Sequence, residues 1–136
     1  MHFISWESRF ELGVPEMDAQ HKELVELIDN LHDVMNREAG REEVAPAMEN
    51  IREHARAHFA TEEDLMVRHG YQGYAVHKGI HEELLKQVDI LVRRYGGGGR
   101  SFSMDILRFI LTWLTEHIEG EDLYLAEFLK RVKTAP

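Results

Sequence analysis

The sequence predicts an all-α fold: an antiparallel up-down-up-down four-helix bundle with an N-terminal arm. Three observations predict it. Four long segments repeat apolar residues at a helical period. The breaks between them are short and mostly glycine-bearing, which makes neighbouring helices antiparallel. No stretch alternates apolar and polar residues as a half-buried strand does.

The elements follow in order. Residues 1–17 carry Gly13, Pro15 and the aromatics Phe3 and Trp6, and read as an ordered arm. Asp18 is a plausible N-cap for a first helix over 18–37, whose stripe is Leu24, Val25, Ile28, Leu31, His32 and Met35. Gly40 breaks it. A second helix spans 42–69, with Pro46 tolerable only in its first turns. Gly70 and Gly73 form the next break. A third helix spans 74–95 through Ile80, Leu84, Leu85, Val88, Leu91 and Val92. Gly96 to Gly99 is a connection, and Ser101 or Ser103 could cap a fourth helix over 102–133.

Composition narrows the function. The 136 residues suggest one domain, 1–136, long enough to bury a core without covalent staples. The absence of Cys excludes disulfides, thiolate ligands and Cys nucleophiles. A net charge of −9 with scattered Lys and Arg argues against nucleic acid and anionic membranes as partners. Neither a secretory leader nor a membrane-length apolar run is evident, so a cytoplasmic location is expected. Nine His in a chain this short invite a metal reading.

Seven potential metal ligands recur at helical spacings: His21, His58 and Glu62, His77 and His81, His117 and Asp122. Five imidazoles and two carboxylates are too many for one ion and a reasonable number for two. His58 and Glu62 are four apart, as are His77 and His81, so each pair shares a helix face. Antiparallel packing sets the start of the first helix level with the end of the second, the start of the third and the end of the fourth. All seven residues then fall in one layer at one end of the bundle. His117 and Asp122 fit less simply, because five residues put them about 140° apart on an ideal helix. A π-type widening around Gly120 would turn both inward.

Other histidines are set apart by distance. His32 is about 16 Å along the axis from His21, and His69 is similarly far from His58. His69 sits at a helix C-terminus, where a cation is favoured. His2 reads as arm surface. His54, one turn before His58, reads as a hydrogen-bonded interior residue, or as one lining the space above the cluster.

The order His21, His58-x3-Glu62, His77-x3-His81, His117-x4-Asp122 resembles the hemerythrin family, and especially its bacterial single-domain members. Local context agrees: Trp6 in the arm, Asp18-Ala19-Gln20-His21-Lys22-Glu23-Leu24, His58-Phe59-Ala60-Thr61-Glu62-Glu63, and Trp113-Leu114-Thr115-Glu116-His117-Ile118. The resemblance implies two non-haem irons with an oxo or hydroxo bridge. His77, His81 and His117 would hold one, His21 and His58 the other, with Glu62 and Asp122 bridging. One position on the second iron would stay open to O2. The resemblance also implies reversible O2 binding (storage, transport or delivery), not catalysis. It places Leu24, Phe59, Trp113, Leu114 and Ile118 around the gas. O2 is the expected partner, with an oxygen-using enzyme or a reductase as a further one. His54 stands where the family pattern commonly has Tyr.

Rival readings are weaker. A ferritin-like di-iron oxidase or peroxidase uses Glu-x-x-His pairs, and no His here has Glu three residues before it. An O2, redox or nitric oxide sensing module would usually come with a signalling domain. Zinc or manganese could use the same donors. A metal-free bundle would strand seven polar side chains in a core.

Overall fold

Pro15 opens the first helix, three residues earlier than the capping reading of Asp18. The computed structural model describes residues 10–36, 41–95 and 100–134. His2, Phe3, Trp6, Gly40 and the Gly96 to Gly99 connection lie outside them. Helix α1 spans Pro15–Met35, with extended Val14 as its N-cap. Proline suits this first position because its missing N–H would have no helical partner there. Asp18 instead reaches back to the arm. Its carboxylate accepts from the amides of Leu12 (2.7 Å) and Gly13 (3.0 Å). Gly13 has φ +87°, open to glycine at little cost, and Lys130 closes over it. Asp18→Ala should lower stability by about 1–2 kcal/mol through these stranded amides, measured by chemical denaturation.

Helix α2 spans Arg41–His69 and carries Pro46 near its start. It ends in a Schellman motif: Tyr71 N–H donates to Met66 O (2.9 Å), Gly70 N–H to Val67 O (3.3 Å), and Gly70 takes φ +66°. Helix α3 spans Tyr74–Tyr95. Helix α4 spans Arg100–His117, so Ser101 and Ser103 lie within its first turn and neither is the N-cap. A π turn, Ile118–Asp122, and helix α5, Leu123–Thr134, continue α4 as one rod.

Packing closes a ring of neighbours: α1 on α2, α2 on α3, α3 on α4, and α4 on α1. This is the four-helix bundle, and the described residues contain no strand. The core is continuous from Phe10, Leu12 and Val14 of the arm, through Leu24, Ile28 and Leu31 of α1, to Met48, Phe59 and Met66 of α2 and Leu107, Leu114 and Leu129 of the last rod. Arg52 of α2 pairs with Asp89 of α3 across the bundle. Among the described residues, no helix is long and apolar enough to cross a membrane.

Candidate metal centre

All seven predicted ligand side chains are buried, at 3% exposure or less. Burial of so many polar groups is expensive unless each has a partner. Helix geometry explains how they converge. His58 and Glu62 stack one turn apart on α2, and His77 and His81 do so on α3. The π turn solves the five-residue spacing of the fourth pair. Its added residue per turn brings Asp122 under His117, with Oδ1 3.0 Å from His117 Nε2. Gly120 is not sterically required there: a Cβ would meet nothing within 4 Å, and its φ is not positive. Gly120→Ala should therefore keep the centre intact and raise stability by up to about 1 kcal/mol, checked by thermal unfolding with metal content in parallel.

The carboxylates divide their oxygens between two histidine groups. Glu62 Oε1 lies 3.1 Å from His77 Nε2 and 3.0 Å from His81 Nε2, and Asp122 Oδ1 lies 3.1 Å from His77 and 3.0 Å from His117. The second oxygens face the other way. Glu62 Oε2 is 2.6 Å from His58 Nε2 and 3.6 Å from His21 Nε2, and Asp122 Oδ2 is 2.9 Å from His21. Two donor sets result: Glu62, His77, His81, His117 and Asp122, and His21, His58, Glu62 and Asp122. Within each set the donor atoms lie within 4.8 Å of one another. Donors on opposite sides of one ion sit about 4.2 Å apart, twice the usual bond of about 2.1 Å, so each set is the size of a cation site.

Hydrogen bonding alone does not satisfy this cluster. His58 Nε2 and Glu62 Oε2 have no hydrogen-bond partner despite their proximity, and His117 Nδ1 and His21 Nδ1 also lack one. His81 Nδ1 faces Glu63 Oε2 at 3.0 Å, and a carboxylate only accepts, so His81 carries its hydrogen there. Its Nε2 then presents a lone pair toward His117 Nε2, 3.0 Å away. Converging lone pairs and carboxylates are the chemistry of a cation site. Imidazole plus carboxylate suits iron, zinc or manganese.

Without metal, protons take the cation's place. Burial opposes charge on the His21, His58, His77 and His117 imidazoles, but the carboxylates outweigh it. The Glu62 charge leads in lifting His58 to about 9, the Asp122 charge in lifting His117 to about 10, and the Asp122 hydrogen bond in lifting His77 to about 8. His21 is raised by its hydrogen bond to Asp122. Burial would push Glu62 and Asp122 up, yet the His58 and His117 charges hold both well below the usual carboxylate range.

Apolar side chains enclose the cluster. Leu24, Phe59, Leu114 and Ile118 are buried, and Trp113 is half-buried. Phe59 stacks on His81 (3.9 Å, 8°), and Trp113 stacks on His117 (5.2 Å, 16°). Leu24, Phe59, Trp113 and Leu114 also line an internal cavity of about 20 Å³, and Ile118 does not.

Among the described residues, three histidines stand outside the cluster. His54 is exposed, its Nδ1 3.0 Å from Asn50 O, and so it neither is interior nor lines the cavity. The inward face of α2 runs through Ile51, Ala55, Phe59 and Glu62, and His54 falls off that line. His32 lies beside Asn36, and His69 is the last residue of α2. Sequence reasoning missed Gln20, Glu63 and Glu121, which face ring nitrogens of His58, His81 and His117. Their only signal is adjacency to a ligand or an i+4 spacing, which any surface residue can share.

Fold and cluster together define a cation-binding helical bundle. The family model for the hemerythrin HHE cation binding domain matches residues 12–129. The chain is 30% identical over 130 residues to the bacteriohemerythrin of Stenotrophomonas maltophilia (strain R551-3), covering 96% of this chain and 84% of that protein. It is 32% identical over 124 residues to the bacteriohemerythrin of Pseudomonas aeruginosa (strain LESB58), covering 90% and 78%. A solved structure of wild-type hemerythrin matches with TM-score 0.82 and 26% identity, over 93% of this chain and 98% of that one. The chain belongs to the hemerythrin family.

Proposed function

We propose that this protein binds O2 reversibly at a non-haem di-iron centre. The observation that carries the reading is the division of Glu62 and Asp122 between two histidine groups. His77, His81 and His117 would hold one iron and His21 and His58 the other, with both carboxylates shared. Bound iron would supply the redox chemistry, and His21 and His58, one histidine fewer than the other group, would leave room for a gas molecule beside them.

The protein's own contribution is orientation and dryness. Glu62 and Asp122 keep the donor atoms aimed inward. The cavity is apolar except for Arg52, whose guanidinium is engaged by Asp89. Its volume of about 20 Å³ suits one small molecule and offers water little to bond with. Trp113 and Leu84 line both this cavity and a groove of about 470 Å³ between α3 and α4. They are the shared wall between solvent and the dry interior, where gas would cross. Delivery to an oxygen-using enzyme, or reduction by a partner reductase, would act on the same centre.

The test is direct. Iron per chain is quantified, the protein is reduced without air, and oxygen is admitted. A visible charge-transfer band that fades on deoxygenation supports the reading, whereas consumption of reductant marks an oxidase. Leu114→Asn should speed irreversible oxidation several-fold by wetting the pocket, measured as decay of the oxygenated spectrum. An unchanged lifetime would count against this cavity as the gas pocket.

A further inference from the structure

The two donor sets are not braced alike from outside. His81 Nδ1 donates to the carboxylate Glu63 Oε2 at 3.0 Å. Glu121 Oε2 adds a second negative charge on the same side, 3.7 Å from His117 Nδ1 and not hydrogen-bonded to it. The other set meets a neutral amide. Gln20 Oε1 lies 2.7 Å from His58 Nδ1. The amide's orientation follows from its other end. Gln20 Nε2 donates to Thr61 Oγ1 (3.1 Å), whose own hydrogen goes to Ala57 O (3.1 Å). Gln20 must therefore present its oxygen to His58, and His58 must carry hydrogen on Nδ1. His21 Nδ1, in the same set, has no hydrogen-bond partner.

We propose that Glu63 and Gln20 are positioning residues that make the two metal positions chemically unequal, one braced by a carboxylate through His81 and the other by an amide through His58. The proposal rests on the di-iron reading. A carboxylate behind an imidazole makes its far nitrogen a stronger donor, and a neutral amide does so less. The three-histidine position then holds its ion more tightly and favours the higher oxidation state. The two-histidine position releases its ion first.

The experiment loads the full chain with ferrous iron without air and follows release to a chelator in excess. Wild type should lose iron in two phases of equal amplitude. Glu63→Gln should speed the slow phase by about 10–100-fold and leave the fast one in place. Gln20→Glu should slow the fast phase alone. One-electron midpoint potentials should rise in Glu63→Gln and fall in Gln20→Glu, opposite shifts that loosened packing does not produce. Phases that move together, or potentials that shift the same way, overturn the proposal. If Glu63→Gln does not fold, as judged by helix content, Gln20→Glu decides alone, and an unslowed fast phase overturns it. Wild type holding fewer than two irons sinks the di-iron reading itself, a result separable from variants that merely fail to discriminate.

Discussion

Glu62→Ala is expected to abolish binding at both metal positions at once. Glu62 is shared by both donor sets, with one oxygen turned to His77 and His81 and the other to His58. His21→Ala is the control, because His21 belongs to one set only. It should leave about one ion per chain, held by His77, His81 and His117. Metal analysis after desalting reads both outcomes. The alanine chain also loses the carboxylate that faces the buried His58, which should destabilise the metal-free fold by about 3–5 kcal/mol. Equal metal loss from the two variants would show that the sets are not separate sites.

Removing metal should reverse the sign of the protein's pH response. In the metal-free chain, His58 near 9 and His117 near 10 lie above their ordinary value of 6.5. A raised folded-state value contributes stability that is complete below 6.5 and is lost as pH climbs through about 9 to 10. Glu62 and Asp122, held low, contribute stability that is present above 4.5 and fades in stronger acid. The metal-free protein is thus most stable between about pH 4.5 and 6.5. Each tenfold change in proton affinity is worth about 1.4 kcal/mol, so the loss at alkaline pH is on the order of several kcal/mol. The loaded protein should do the opposite, since imidazoles bind metal only when deprotonated. Denaturation midpoints taken from pH 6 to pH 9, with and without metal, check this. Parallel curves would mean that protons and metal do not compete for these rings.

The bundle was legible because helical periodicity and glycine breaks are local signals. The level of each ligand followed from antiparallel packing, since His21, His58, His77 and His117 occupy corresponding heights. Even the π turn was foreseeable, because a five-residue spacing between two inward residues needs an extra residue per turn. That the turn does not require Gly120 was not foreseeable, since free space around a Cβ is a property of the packed helix. The first helix began at Pro15 because Asp18 found better partners in the amides of Leu12 and Gly13. A capping residue and an arm-binding residue look the same in one dimension.

Local order along the chain settled which seven side chains would meet, because residue spacing on a helix dictates a common face. Only packing in three dimensions decided which carboxylate oxygen serves which histidine group, how Gln20 and Glu63 brace them, and that His54 faces water. Those outcomes depend on rotamers and on differences of about 40° around a helix axis, the angle by which residues four apart miss a full turn. Sequence spacing cannot resolve an angle that small without the neighbouring helix that selects it.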